Sequence, residues 1–225
     1  MMKKRTKLVA MAILLLTLVL PIASRASTIY TNLGAGSSYY CCDGYAVNSS
    51  QQLAMAFTVP GGPGYSLTQI DIALTFADIG TNSALVQLWS DSAGSPGVII
   101  GAWTLGGPLP EYGLTTAIQS SQTISGISGI TLSGGTQYWL TPLPGDSSTE
   151  AVWNTTDPSS IGITNASFDG GSTWTAACDV CNRTAFAVYG DPVSAPPEVP
   201  EPSTILLLGG GLLGLGRIVG RKIAS

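Results

Sequence analysis

The groups able to do chemistry in this chain of 225 residues are carboxylates, hydroxyls and thiols, because the sequence contains no histidine. That composition excludes Ser-His and Cys-His nucleophilic catalysis, general acid–base chemistry by histidine and most catalytic zinc sites. Hydrolysis of glycosides by two carboxylates and calcium binding through oxygen ligands remain open. The carboxylates on which a hydrolase would draw show no recognisable acid/base spacing: Asp71, Asp91, Glu111 and Glu150. We therefore predict no catalytic residue, no metal ligand and no cofactor.

The four cysteines are candidates for disulfide bonds. They occur as an adjacent pair, Cys41 and Cys42, and as a Cys178-x-x-Cys181 motif. An even number of cysteines in an exported domain favours disulfides, and two of the three possible pairings join the early segment to the late one. A bond between adjacent cysteines is strained, so we expect a clasp between the first and last strands. A redox pair or a four-thiolate zinc site is the alternative, and only Arg183 lies nearby to stabilise a thiolate.

One segment matches the Asp-box pattern S-x-D-x-G-x-T-W and resembles the turns of sialidases and other secreted β-proteins. The matching residues are Ser167, Asp169, Gly171, Thr173 and Trp174. The aspartate can accept hydrogen bonds from amides of its own turn, the glycine permits positive φ, and the indole packs beneath. A sialidase also needs arginines to bind its carboxylate ligand, and only Arg183 is available. We interpret the segment as a structural turn.

Aromatic rings stack on the faces of sugars, so a carbohydrate platform is an alternative role for the aromatic residues. The candidates are Tyr39, Tyr40, Tyr45, Trp89, Trp103, Trp139, Trp153 and Trp174. In a domain of this size we expect most of them to lie in the core. Four N-x-[ST] sequences are interpreted as exposed polar turns, and they begin at Asn48, Asn154, Asn165 and Asn182.

The elements that must position these residues are short strands. Short apolar stretches alternate with Pro-Gly and Gly-Gly turn signals, and no stretch of the body has a sustained helical period. The segment Leu67–Phe76 alternates from Ile70 onward, as a half-buried strand does. We predict an all-β fold, a single antiparallel β-sandwich or jelly-roll domain over residues 27–190. A proline-rich linker follows at residues 191–198.

The charge of the body is strongly negative. Between Ser27 and Glu198 there are twelve acidic residues and one basic residue, Arg183, which gives a net charge of −11. A surface almost free of lysine and arginine does not attract the phosphates of nucleic acids or anionic lipids. Nucleic-acid binding is therefore excluded.

The first 26 residues have the features of a signal peptide. A basic region precedes the apolar run Leu8–Ile22, and Ser24-Arg25-Ala26 places small residues where signal peptidase reads them. We expect a helical signal peptide that uses the Sec translocon and is cut by signal peptidase after Ala26. An uncleaved membrane anchor is the alternative.

The C-terminal segment, residues 199–225, combines three ordered signals: Val199, Pro200, Glu201, Pro202 and Ser203, then an apolar glycine-rich run, then Arg217, Arg221 and Lys222. The run is short for a transmembrane helix and reaches a sufficient length only if Arg217 snorkels. The whole arrangement resembles the PEP-CTERM sorting domain of exosortase-bearing Gram-negative bacteria. That resemblance implies recognition by exosortase, transient anchoring through a transmembrane helix with its basic end in the cytoplasm, and a host that makes exopolysaccharide.

The body of the chain resembles the choice-of-anchor R domains found upstream of such tails. The resemblance rests on the segments Ala84–Asp91, Ser95–Ile100 and Gln137–Leu140 together with the Asp box. It implies a β-sandwich and brings no enzymatic activity. We predict an exported, non-enzymatic protein of the cell surface or extracellular matrix, associated with exopolysaccharide. A carbohydrate-active enzyme with a carboxylate pair and a calcium-dependent adhesion module are the alternatives.

Overall fold

The computed structural model describes residues 26–40, 43–113, 118–156 and 160–193, and the regular elements in these ranges are β-strands. In chain order they are β1 (Ser27–Thr31), β2 (Ser38–Tyr40), β3 (Gly44–Val47), β4 (Gln52–Thr58), β5 (Tyr65–Ile72), β6 (Leu74–Ile79), β7 (Ala84–Ser92), β8 (Ser95–Thr104), β9 (Ile118–Ser120), β10 (Gln122–Ser125), β11 (Thr131–Leu132), β12 (Gln137–Pro144), β13 (Glu150–Asn154), β14 (Ile161–Ser167), β15 (Thr175–Asn182) and β16 (Phe186–Pro192). In this part of the chain no helix has the length and apolarity that crossing a bilayer requires. The two flanking helices predicted from the sequence lie outside the described residues.

These strands pair antiparallel in several sheets. The largest has the order β15-β14-β4-β12-β7-β8, and a second has the order β1-β16-β5-β10, with β11 also paired to β5. A three-stranded sheet, β3-β13-β6, and a two-stranded sheet, β2-β9, complete the set within the described ranges. The predicted all-β, antiparallel, sandwich-like fold is confirmed, and the jelly-roll order stays a prediction.

The main core lies between the six-stranded sheet and the sheets that contain β5 and β6. Successive side chains of β4 point to opposite faces of the sheet. Met55 and Phe57 belong to this core, whereas Ala54 and Ala56 face the other side. Phe186 of β16 and Trp153 of β13 enter the same core and are fully buried. Each inner face therefore carries the large apolar residues that drive the layers together.

The strand expected over Leu67–Phe76 is in fact two strands in two sheets. The chain leaves the β5 sheet after Ile72 and enters the β6 sheet at Leu74, with Ala73 between them. The alternation that suggested one half-buried strand is misleading, because Asp71, Ala73 and Thr75 on the other face are buried as well. The prediction of a single strand was wrong for that reason.

Three chain segments change sheets near Ala73, and their backbones form a closed set of hydrogen bonds. Ala73 N donates to Ala185 O at 3.0 Å, Ala185 N to Asn154 O at 2.8 Å, and Asn154 N to Ala73 O at 2.9 Å. The side-chain Nδ2 of Asn154 also reaches Ala73 O at 3.1 Å, and the indole Nε1 of Trp153 donates to Ala185 O at 3.2 Å. We call these three segments the sheet junction. Its hydrogen bonds pair the backbone groups at points where the chain has left one sheet and has not yet entered the next.

The interpretation of the four N-x-[ST] sequences as exposed turns is wrong at three positions, because Asn154, Asn165 and Asn182 lie on β13, β14 and β15. Asn154 is fully buried in the sheet junction, and Asn165 is buried on the outer side of β14. Asn48 does lie at a turn, where its Oδ1 accepts hydrogen bonds from Ser50 N and Gln51 N. The short sequence pattern does not distinguish a turn amide from a buried amide that links strands.

The expected disulfide clasp between the first and last strands is also wrong. Cys178 bonds to Cys181 within β15, with the two Cα atoms 5.6 Å apart, and Cys41 and Cys42 lie outside the described residues. On β14, Gly162 pairs with Cys181 and Thr164 with Cys178, so three steps along β15 oppose two along β14. This bulge turns both sulfur atoms to the same side. The first and last strands are instead held together by the β1–β16 ladder.

We predict that Asn154→Ala lowers the free energy of unfolding by about 3 kcal/mol, because buried acceptors around its amide lose their donor. Urea unfolding measures the effect. Asn48→Ala is the matched control at an exposed turn and is expected to cost about 1 kcal/mol or less. Equal losses in the two variants would show that the sheet junction has no special weight.

Candidate functional site

The outer face of the six-stranded sheet carries a second apolar cluster, separate from the main core. Trp89 of β7 pairs with Trp139 of β12, and Trp139 pairs with Ala56 of β4. Trp174, from the Asp box, packs against this row, and its ring meets that of Trp89 edge-on with centroids 5.7 Å apart. We call Ala54, Ala56, Trp89, Trp139 and Trp174 the tryptophan cluster. The two alanines leave room above β4, so Trp139 is completely buried although it faces away from the main core.

Asp91, at the end of β7, binds the edge of this cluster. Its Oδ1 accepts hydrogen bonds from Trp139 Nε1 and Gln137 Nε2, both at 2.8 Å, and its Oδ2 accepts one from Gly94 N at 3.2 Å. Partial burial opposes ionisation of Asp91, but the hydrogen bonds from Trp139, Gly94 and Gln137 outweigh it and hold the pKa of this carboxyl below its ordinary value. The carboxylate therefore fixes the orientation of the buried indole.

Asn165 connects the turn between β7 and β8 to β14, which lies three strands away from β7 in the same sheet. Its Nδ2 donates to Gly94 O at 3.3 Å and to Ser95 Oγ at 3.0 Å. Asn165 lies on β14 and pairs with Ala54 of β4. The tip of the β7–β8 hairpin is thus folded back toward the strand that leads into the Asp box.

The Asp box closes the turn between β14 and β15 through its own side chains. Asp169 Oδ2 accepts from Thr173 Oγ1 at 2.6 Å, and Asp169 Oδ1 accepts from Thr173 N at 2.9 Å and from Ser167 Oγ at 2.8 Å. Ser167 Oγ in turn accepts from Gly171 N at 2.8 Å, and Gly171 has φ of +87°. These hydrogen bonds, that of the Thr173 side chain above all, lower the pKa of Asp169 to about 2. The turn also delivers Trp174 to the tryptophan cluster.

The surface next to the cluster combines aromatic, aliphatic and acidic groups. Phe168, within the Asp box, is 69 % exposed, and Trp174 is partly exposed. Ile161 and Ile163 of β14 are exposed on the same side of the sheet. A surface of this kind can stack on a flat apolar face and accept hydrogen bonds from hydroxyl groups at its carboxylates.

Only three of the eight aromatic candidates gather on this face. Trp153 lies in the main core and Trp103 packs against it, whereas Tyr39 is buried in a small cluster with Ala73 and Ala185. Tyr45 lies on β3 opposite Trp153, and the side chain of Tyr40 is outside the described part. The expectation that most of these rings are internal agrees with this placement, but a continuous platform of all eight is wrong.

Among the four candidate carboxylates, Asp71 lies furthest from solvent. It is buried on β5, where its carboxylate accepts hydrogen bonds from Gln69 Nε2 at 2.8 Å, Thr123 Oγ1 at 2.9 Å and Ser37 Oγ at 3.2 Å. Each of these donors belongs to the polar network that covers this sheet. These three donors satisfy the oxygens of the buried carboxyl group.

The other three candidate carboxylates lie on different elements. Asp91 lies at the β7–β8 hairpin, whereas Glu111 bridges to Phe76 and Glu150 pairs with Ile79 at the end of β6. In the part of the chain that the structure describes, no three His, Cys, Asp or Glu side chains form a group that could hold a metal ion.

An all-β domain followed by a C-terminal sorting signal is the organisation of an exported cell-surface protein. Residues 198–222 match the family model described as the PEP-CTERM protein-sorting motif. The match confirms the predicted PEP-CTERM motif. The matched range contains Val199–Ser203 and the basic residues Arg217, Arg221 and Lys222, whose individual roles stay predictions and which lie outside the described residues. The motif implies an exosortase-processed surface protein of a Gram-negative bacterium. No curated protein matches the chain.

We predict that Trp174→Ala lowers the free energy of unfolding by about 3 kcal/mol, because it uncovers Trp139 and leaves a gap over β4. Urea unfolding followed by tryptophan fluorescence measures both the loss and the exposure of Trp139. Phe168→Ala, in the same turn but exposed, is the control and is expected to change stability by less than about 0.5 kcal/mol. A comparable loss in the two variants would contradict the packing role of Trp174.

We predict that the pKa of Asp169 rises toward its ordinary value of 3.8 in Thr173→Val and stays near 2 in Thr173→Ser. The reason is that only the valine variant loses the hydroxyl donor. Because the folded-state pKa is depressed, the hydrogen bonds of ionised Asp169 stabilise the turn above about pH 4, and this contribution is lost as the pH falls to about 2. Titration of the Asp169 carboxyl carbon by NMR measures the pKa. An unchanged pKa in Thr173→Val would assign the shift to the backbone amides and the Ser167 hydroxyl.

Proposed function

We propose that the chain is a non-enzymatic surface protein whose β-domain associates with extracellular polysaccharide after exosortase processing. The observation that supports this proposal is the PEP-CTERM protein-sorting motif at residues 198–222, because it implies export to the cell surface, and extracellular polysaccharide is a partner that an exported protein can meet. The compact unit that holds the strands ends at Pro192, so the domain precedes the motif in the chain.

The surface beside the tryptophan cluster supports a polysaccharide partner. Phe168 offers an exposed ring on a turn that its own hydrogen bonds hold in place, and Trp174 in the same turn is a second, partly exposed ring. A rigid aromatic group loses little conformational entropy when it binds. Stacking on sugar rings is the interaction that this arrangement favours.

The negative charge of the domain disfavours negatively charged polysaccharides as partners. Arg183, the one cation between Ser27 and Glu198, donates from Nη1 to Tyr30 Oη at 2.8 Å and lies over the Tyr30 ring, so it is already engaged. A net charge of −11 repels polyanions at low ionic strength. We therefore favour a neutral or amino-bearing polysaccharide.

The absence of turnover is part of the proposal. The candidate carboxylates lie on separate elements, and Asp71 and Asp91 each use their oxygens as acceptors for internal hydrogen bonds. A glycosidase needs one carboxyl that is protonated and another that is ionised on opposite sides of one sugar bond. The described residues offer no such pair.

Co-sedimentation of residues 27–198 with the exopolysaccharide of the host tests the proposal. We expect saturable binding without hydrolysis, weakened about ten-fold by Phe168→Ala, since removal of a stacking ring costs about 1–3 kcal/mol per base where aromatic side chains stack on nucleobases. Ile79→Ala, at an exposed residue on β6, is the control and should bind as the wild type does. Hydrolysis that a single Asp or Glu substitution abolishes would favour an enzyme. Binding that a chelator abolishes would favour a calcium-dependent adhesion module.

A further inference from the structure

The disulfide in β15 closes a very short ring, so it constrains the backbone only locally. Cys178 and Cys181 are three positions apart, whereas the expected clasp would have closed a loop of more than a hundred residues. A cross-link of that short span removes little entropy from the unfolded chain compared with a long one. Its position in the sheet therefore matters more than its effect on the unfolded state.

The position is the bulge on the outermost strand of the six-stranded sheet. β15 pairs only with β14 among the described strands, and its register shifts twice along that ladder. The disulfide spans the first of these shifts, between the pairs Gly162–Cys181 and Thr164–Cys178. Both cysteines are partly exposed, so a small dithiol can reach them.

Arg183 lies two residues after Cys181, and its side chain occupies the space beside Gly162 at this bulge. A Cβ atom at Gly162 would collide with the guanidinium group, so the side chain of Arg183 lies directly across the residue that pairs with Cys181. The backbone there is fixed by hydrogen bonds from Arg183 N to Ser160 O at 2.7 Å and from Thr156 N to Arg183 O at 3.1 Å. The path of the chain out of the bulge thus sets where the guanidinium points.

The guanidinium ends on the other layer of the sandwich. Arg183 Nη1 donates to Tyr30 Oη at 2.8 Å, and its Cζ lies 5.6 Å from the centroid of the Tyr30 ring. Tyr30 belongs to β1, and its ring packs against Phe186 and Phe57 of the main core, with centroids 4.8 Å and 5.8 Å away. Arg183 therefore links the edge of the six-stranded sheet to the first strand of the opposite sheet.

We propose that the Cys178–Cys181 disulfide is a redox-controlled lock that holds Arg183 on Tyr30 and so couples the β15 edge to the opposite sheet. Reduction by a dithiol proceeds by exchange: a thiolate of the reductant attacks one sulfur, the Cys178–Cys181 bond breaks, and the reductant leaves as its own disulfide. The protein gains two electrons and two protons as two thiols. The bulge then loses its cross-link and Arg183 loses its fixed approach to Tyr30.

This lock gives the bond a role in export. Thiols stay reduced in the bacterial cytoplasm and oxidise after export, and the PEP-CTERM motif implies that the chain is exported. The contact between the layers is then completed only once the chain has left the cytoplasm. This inference does not depend on the proposed association with polysaccharide.

A coupling experiment tests the lock on the full chain, solubilised in a mild detergent. Thermal unfolding is measured with and without a dithiol in the wild type, in Arg183→Met and in the double variant Cys178→Ser/Cys181→Ser. We expect reduction to lower the Tm of the wild type by about 2–4 °C. In Arg183→Met the shift falls to less than about half, because the contact that reduction disturbs is already missing.

The controls separate this bond from the rest of the molecule. The double serine variant should resemble the reduced wild type and show no further response to dithiol; a response that persists there belongs to Cys41 and Cys42 and overturns the proposal. An equal shift in Arg183→Met also overturns it, because no coupling then exists.

Hydrogen exchange of the wild type gives a second test that needs no variant to fold. We expect dithiol to speed amide exchange in β15, at Arg183 and in β1 by about ten-fold or more. β8 is the matched control, since it is the opposite edge of the same sheet, also has two register shifts and contains no cysteine. Exchange that rises equally in β8, or that rises in β15 but not in β1, would overturn the lock.

Discussion

Satisfying buried backbone groups where the chain changes sheets is the constraint on which this fold depends. Three segments cross between sheets at Ala73, Asn154 and Ala185, and each backbone N–H finds a carbonyl of the next segment. Because no solvent reaches these groups, a missing partner there would cost the full penalty of desolvation. The three N–H groups and three carbonyls at this crossing satisfy one another, although the segments belong to different sheets.

Polar side chains throughout the described domain act mainly to hold other parts in position. Asp91 orients the buried indole of Trp139, Asp169 closes its own turn, and Asp71 is held by hydroxyl and amide donors. Carboxylates that are ionised and fully hydrogen-bonded make rigid surfaces and poor general acids. These contacts are the physical reason for our proposal of recognition, and not turnover, at the outer face of the large sheet.

On the β15 side, a polar contact also joins the two layers of a domain of net charge −11. Arg183, the one cation between Ser27 and Glu198, reaches Tyr30 of β1 through a hydrogen bond and a ring contact. The disulfide is present, but it shapes the bulge from which Arg183 departs instead of joining distant strands. The expected clasp is thus replaced by the β1–β16 ladder, and the Arg183 contact adds a polar link between the layers.

The sequence by itself determined the features that a few neighbouring residues encode. The sorting motif is linear, strands follow from period-two patterns between turn signals, and the Asp box needs only contacts from Ser167 to Thr173. Tertiary structure alone decided which tryptophans meet, which sequon asparagines are buried and which cysteines pair. Those outcomes depend on the register of strands far apart in the chain and on bulges that shift it by one residue, and no local pattern records that register.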